Sequence, residues 1–137
     1  MLFDLIRKHE KSNVIFLSGD VHFANRYQPA CETLTAYNVP DFTSSGMTHN
    51  IGSFAGGALK FLESIMDIFQ DPNYSIEYSF HQFNYGHISV DTLAHKVEVS
   101  LKDIDGHAVF SNEFDLHKDL QFNSSKLNKN SNFCSHL

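Results

Sequence analysis

Tryptophan is absent from this 137-residue chain, and cysteine (two residues), proline (three) and arginine (Arg7 and Arg26) are scarce. The arginine shortage, with a formal net charge of -6, argues against a nucleic-acid or anionic-membrane surface, because phosphate backbones demand clustered Lys and Arg. Any phosphate handled here has to be neutralised by something else, and a metal ion would do it. Cys31 and Cys134 lie far apart and neither belongs to a C-x-x-C pair, so neither a zinc knuckle nor a disulfide framework is indicated. That leaves the compartment open. No run approaches the apolar length of a transmembrane span. Asp4 interrupts the apolar start Met1-Leu2-Phe3, and the basic residues follow it, the reverse of a signal peptide.

What the chain does hold is apolar: 42% of its residues are hydrophobic and only 19% charged, with thirteen phenylalanines to pack an aromatic core. Its length suits one domain. Leu2, Leu5, Ile6 and His9 recur at helical spacing and predict a helix that feeds a buried strand over 13–17. A second extended segment is expected over about 34–42, broken by Pro40 and running into Thr43-Ser44-Ser45-Gly46-Met47-Thr48-His49. Gly52 to Gly57 reads as a connector, and Leu59, Leu62, Ile65, Met66 and Phe69 mark one face of an amphipathic helix stopped by Asp71-Pro72-Asn73. From Tyr74 onward apolar and polar residues alternate through Phe80, through Ile88 and Val90, and through Val97, Val99 and Leu101. Asp105-Gly106 then signals a hairpin into a last strand over about 108–116. The second half therefore reads as an antiparallel meander, residues 1–118 as the folded domain, and 119–137 as a disordered polar tail.

Chemistry concentrates where the first buried strand ends, in Leu17-Ser18-Gly19-Asp20-Val21-His22. In an extended segment residues two apart face the same side, so Asp20 and His22 can serve one site while Val21 packs the other way. A carboxylate oxygen and an imidazole nitrogen match a transition metal such as iron, zinc or manganese, and Gly19 would let the backbone turn close to an ion. The alternative is that Asp20 caps a turn and His22 is satisfied locally. His49 is a second candidate, with Ser44, Ser45 and Thr48 as donors to a phosphoryl oxygen, against the reading of an ordinary loop. Arg26 offers a bidentate clamp for an anion, or is simply solvated. The frame of a nucleophile elbow is missing around Ser45, so serine-hydrolase chemistry has no support.

Four blocks taken in order, Leu17-Ser18-Gly19-Asp20-Val21-His22-Phe23, Phe42 to His49, Asn84-Tyr85-Gly86-His87-Ile88 and Asp103-Ile104-Asp105-Gly106, resemble the carboxyl-terminal part of PhoD-like alkaline phosphatases, within the calcineurin-like metallophosphoesterases. The resemblance spans about residues 7–116. It implies an α/β (α+β) fold, part of a four-layer αββα sandwich, with a mixed sheet and an antiparallel meander. It implies Asp20 and His22 as metal ligands and places the Thr43-Ser44-Ser45-Gly46 block beside the site; with the reading of the residues above, His22 is the catalytic candidate, and Ser44, Ser45, His49 and Arg26 are the substrate-binding candidates. The chemistry implied is two-metal hydrolysis of a phosphate ester, with iron and calcium, or manganese or zinc, as the ions.

The blocks that precede Gly-Asp-x-His in that superfamily, Asp-x-His, Gly-Asp-x-x-Asp and Gly-Asn-His, do not occur ahead of Asp20, nor does the cysteine iron ligand of the PhoD type. Asp20 and His22, even with His49, are too few for two ions that each want about four or more ligands. The chain is thus expected to be a carboxyl-terminal fragment, inactive alone and partnered by a missing amino-terminal half, or a non-catalytic binding protein that keeps part of the fold.

Overall fold

The computed structural model describes residues 2–29, 35–49 and 74–127. Cys31, Cys134, the glycine-rich connector and the amphipathic helix expected from Leu59 lie outside the described residues. The protein is a mixed α/β chain, dominated by two sheets. Helix α1 (Leu2–Lys8) leads to strand β1 (Phe16–Ser18), followed by β2 (Ala24–Pro29) and β3 (Asp41–Ser44). Strands β4 (Tyr74–Phe80), β5 (Asn84–Asp91), β6 (Lys96–Asp103) and β7 (Ala108–Asp115) precede a single helical turn, α2 (Ser124–Leu127). Among the described residues, no helix is long and apolar enough to cross a membrane.

Sheet A has the order β1-β3-β2-β4 and sheet B the order β5-β6-β7. In sheet A, β1 runs parallel to β3, while β2 lies antiparallel to both β3 and β4. The meander expected from Tyr74 onward is therefore three strands long, not four. The corner His81–Phe83 separates β4 from β5, and β4 pairs instead with β2. Half-buried Tyr78 and Phe80 alternate with exposed Glu77 and Ser79 on β4 as the sequence period requires.

The core forms between the sheets. Register aligns Leu17, Phe42, Arg26 and Tyr78 across sheet A, so their side chains share one face. Phe42 meets Phe110 and Phe114 of β7, each at 6.2 Å between ring centroids, and Tyr78 stacks on Phe110 at 5.3 Å. Val99 and Leu101 of β6 are buried from the same side of sheet B, where register sets Leu101 against Phe110. Ile6 joins this core from α1, with Tyr37 and Val39 from the segment before β3. Burial raises the Tyr37 hydroxyl above the usual tyrosine range, although the Val14 N–H partly opposes it. That hydroxyl also donates to the Lys11 carbonyl at 2.9 Å.

The packed chain runs past Lys118. Leu120 is 2% exposed within the core, the Asn13 N–H donates to its carbonyl, and the Phe122 N–H donates to Ser12 Oγ. One apolar side chain is enough to hold a polar stretch whose composition reads as a tail. Residues 128–137 lie outside the described residues.

Two outcomes are expected from this packing. Phe42→Ala removes the ring on which both sheets close and costs about 3–5 kcal/mol, measurable as a lowered urea midpoint. Asp41 behaves oppositely. Burial raises its carboxyl above the usual carboxylate range, against a lowering contribution from the Ser18 hydroxyl, which donates to Oδ1 at 3.0 Å. A folded-state value above the unfolded one favours folding below the unfolded pKa, and that advantage is lost as pH rises through the folded value. Asp41→Asn keeps an acceptor for Ser18 without the charge. It is expected to raise the melting temperature at neutral pH and to leave it unchanged below about pH 3.

Candidate functional site at the carboxyl edge of the parallel strands

Because β1 and β3 are parallel, their carboxyl ends open on the same edge of sheet A. The loop 19–23 leaves β1 there, and 45–49 leaves β3. Register puts Ala24 opposite Ser44 on one side and Phe80 on the other, so β2 starts and β4 stops at this edge too. Ligand sites of open α/β sheets lie outside the carboxyl ends of strands for this reason: chain direction gathers several loops at one place.

Asp20 and His22 are exposed and Val21 is half-buried, the alternation expected of them. The backbone is nevertheless not extended. Asp20 has φ of 68° and His22 of 62°, both in the left-handed region, where a Cβ crowds the carbonyl at roughly 1–2 kcal/mol per residue. Gly19, to which the sequence assigned the sharp turn, does not adopt a positive φ. The two functional candidates take the unfavourable conformation themselves.

Ser45 holds them in it. Its Oγ accepts the N–H groups of Val21 at 2.9 Å and of His22 at 2.8 Å, which occupies both lone pairs and leaves one O–H to donate. His49 is exposed, its ring sits edge-on to His22 at 5.8 Å between centroids, and its Nδ1 lies 3.1 Å from Thr48 Oγ1. Thus the structure brings His22, Ser45 and His49 together. Asp20 shares the loop, yet Asp20, His22 and His49 do not converge as a trio of ligand atoms. Among the described residues, Asp103, Asp105 and His107 are the group that converges so, within 4.8 Å of one another in the β6–β7 turn. In that turn burial raises Asp103, but the N–H and charge of His107 outweigh it and hold the carboxyl below its usual range.

Ser44 and Arg26 have other partners. Ser44 Oγ donates to Asn84 Oδ1 at 3.0 Å. Arg26, whose side chain is 7% exposed, pairs with Glu77 and lies over the Phe42 ring at 5.9 Å. A guanidinium so enclosed packs the core face of sheet A and is shielded from an anion in solvent.

Two residues of this edge carried no assigned role in the sequence. His81 lies against Phe23, at 5.4 Å between rings, and its Nε2 is 2.8 Å from Ser79 Oγ. Asn84 is 2% exposed. Its Oδ1 accepts hydrogen bonds from the Ser44 hydroxyl and from the Gly46 N–H at 3.3 Å, its Nδ2 donates to the Gln82 carbonyl at 2.7 Å, and its backbone N–H donates to the Gly46 carbonyl. A Cβ on Gly46 would stand 2.0 Å from Asn84 Nδ2, so only glycine fits. The block Asn84-Tyr85-Gly86 contains the only signal for this bridge, and spacing alone does not pair it with Gly46.

No family model, curated protein or solved structure matches this chain.

Ser45→Ala would leave the Val21 and His22 N–H groups without their acceptor, at about 1 kcal/mol because water reaches this rim. The expected signature is local. Amide exchange at residues 21 and 22 accelerates about fivefold or more, while exchange in β6 is unchanged.

Proposed function

We propose that this chain carries part of a phosphoric-ester hydrolase of the calcineurin-like metallophosphoesterase type, PhoD-like in its motifs. Asp20 and His22, joined by His49, would belong to the metal-ligand set at the carboxyl edge of sheet A. The observation that carries this reading is the strained, Ser45-held loop that carries Asp20 and His22 at the ends of two parallel strands and sets His22 beside His49. Non-glycine residues held in the left-handed region concentrate at functional sites, and although Glu10, Asn13, Ala36 and His95 also adopt it, Asp20 and His22 are the pair that adopts it at the carboxyl edge of the parallel strands.

The donor set is chemically suited to its role. Two imidazoles and a carboxylate match iron, zinc or manganese, and calcium would need additional oxygen ligands. Bound ions of this kind polarise a phosphoryl oxygen and generate a nucleophilic hydroxide. The chain's own residues orient and donate: Ser45 fixes the direction of His22 through the backbone and keeps one O–H for a phosphoryl oxygen. Arg26 is left out of this proposal, and the acidic balance of the chain fits a site whose positive charge comes from ions. Within the family architecture, sheets A and B would be the carboxyl-terminal part of a four-layer sandwich. Three ligands fall short of a two-metal centre, so a complementary segment would supply the others and this chain alone would not turn over ester.

A non-catalytic binding role for the same fold is the second reading, favoured by the failure of Asp20, His22 and His49 to converge. One titration separates the two. With Zn²⁺ or Mn²⁺ added to the full chain, the His22 and His49 ring resonances are expected to shift together, and His22→Ala to weaken binding about tenfold or more. No hydrolysis of a chromogenic phosphate mono- or diester is expected. Unmoved His22 and His49 resonances would favour the binding role, and turnover by the chain alone would overturn the incomplete site.

A further inference from the structure

We infer that strand β5 is a self-association edge, on which a second copy of this chain pairs antiparallel across a two-fold axis at Ser89. Sheet B has the order β5-β6-β7, so among the described residues no strand pairs with the outer side of β5. The strand is eight residues long, and every residue from Gly86 to Asp91 is exposed. An edge left with unpaired N–H and C=O groups is normally guarded by Lys, Pro, a bulge or brevity. β5 contains no Lys, Arg or Pro, and its pairing with β6 shows no register shift.

What identifies the occupant is the order of residues in His87-Ile88-Ser89-Val90-Asp91. In an antiparallel pair centred on Ser89, Ile88 stands opposite Val90 of the second copy, and His87 opposite its Asp91. By symmetry each contact forms twice. A centre one residue away in either direction loses the His–Asp matches, setting His87 opposite Ser89 or Leu93. Opposite residues of an antiparallel pair share a face, so the two classes of contact segregate. Ile88 and Val90 are 45% and 58% exposed although register sets them against Val99 and Val97, whose side of sheet B forms the core. A second β5 would extend that apolar side across the axis into a six-stranded sheet. On the opposite side Asp91 faces Lys96 of its own sheet, and its Oδ1 accepts from the N–H groups of Leu93 and Ala94, which leaves Oδ2 for His87 of the other copy.

Light scattering on the eluting full chain tests this. At about 0.1 mM the mass is expected to be twice that of the chain. Val90→Lys sets an ammonium opposite Ile88 and is expected to return the mass to one chain with circular dichroism unchanged. His87→Asp sets carboxylate against carboxylate and weakens association about tenfold or more. With Cys31 and Cys134 replaced by serine, Ser89→Cys is expected to cross-link to itself under mild oxidation, because residue 89 faces residue 89. A single-chain mass for the unaltered protein overturns the inference, whatever else binds that edge. So does a dimer that survives Val90→Lys and fails to cross-link through Ser89→Cys.

Discussion

Phe42 is the side chain on which both sheets close. It sits in β3, flanked by the parallel β1 and the antiparallel β2, and it meets two phenylalanines of β7 while the Arg26 guanidinium lies over its ring. An aromatic residue fixed from three directions fixes the strand that carries it. The register of β3 then decides which residues reach its carboxyl end, and a slip of one position would turn every side chain to the wrong face. Thr43 to Gly46 follow Phe42 directly, so the core contact and the polar edge are consecutive steps along a single strand.

Arg26 shows how packing redirects a charge. A scarce arginine in an acidic chain invites an anion, and its residue type alone does not say which side of a strand it faces. Register with Phe42 and Tyr78 turns it inward, where Glu77 supplies the counter-charge that burial demands. The arginine shortage read from composition thus goes further in the folded chain, because one of the two is withdrawn from solvent. At the carboxyl edge, imidazoles, hydroxyls and backbone N–H groups are the donors left.

Local periodicity made much of this architecture legible. The helix over 2–8, the alternation in β4 to β6 and the Asp105-Gly106 hairpin all depend on near neighbours, which a sequence displays, whereas the buried strand expected over 13–17 forms as the short edge strand β1, with Leu17 and Ser18 exposed because only β3 pairs with it among the described residues. Partners distant in sequence were not legible. That β4 belongs with β2, that Asn84 closes on Gly46, and that Leu120 returns to the core are contacts between segments separated by about forty residues or more. The left-handed turn shows a different failure. Glycine is the expected bearer of positive φ, yet here a serine twenty-odd positions away makes that conformation hold at Asp20 and His22.

The energetics of that loop bear on what it can do. Two non-glycine residues in the left-handed region cost together about 2–4 kcal/mol, and two N–H bonds to one hydroxyl return about 1–3 kcal/mol net. The terms nearly cancel, so the presented geometry of Asp20 and His22 stands on a small margin. An interaction that favours this arrangement by a kcal/mol or two, such as an ion shared with His49, would dominate the loop's population. Without Ser45 the same ion would first have to supply the conformational cost itself. On this view Ser45 would act on an ion through preorganisation, by accepting the Val21 and His22 N–H groups without being a ligand itself, and ion affinity at the edge would follow the state of a hydroxyl that belongs to neither Asp20 nor His22.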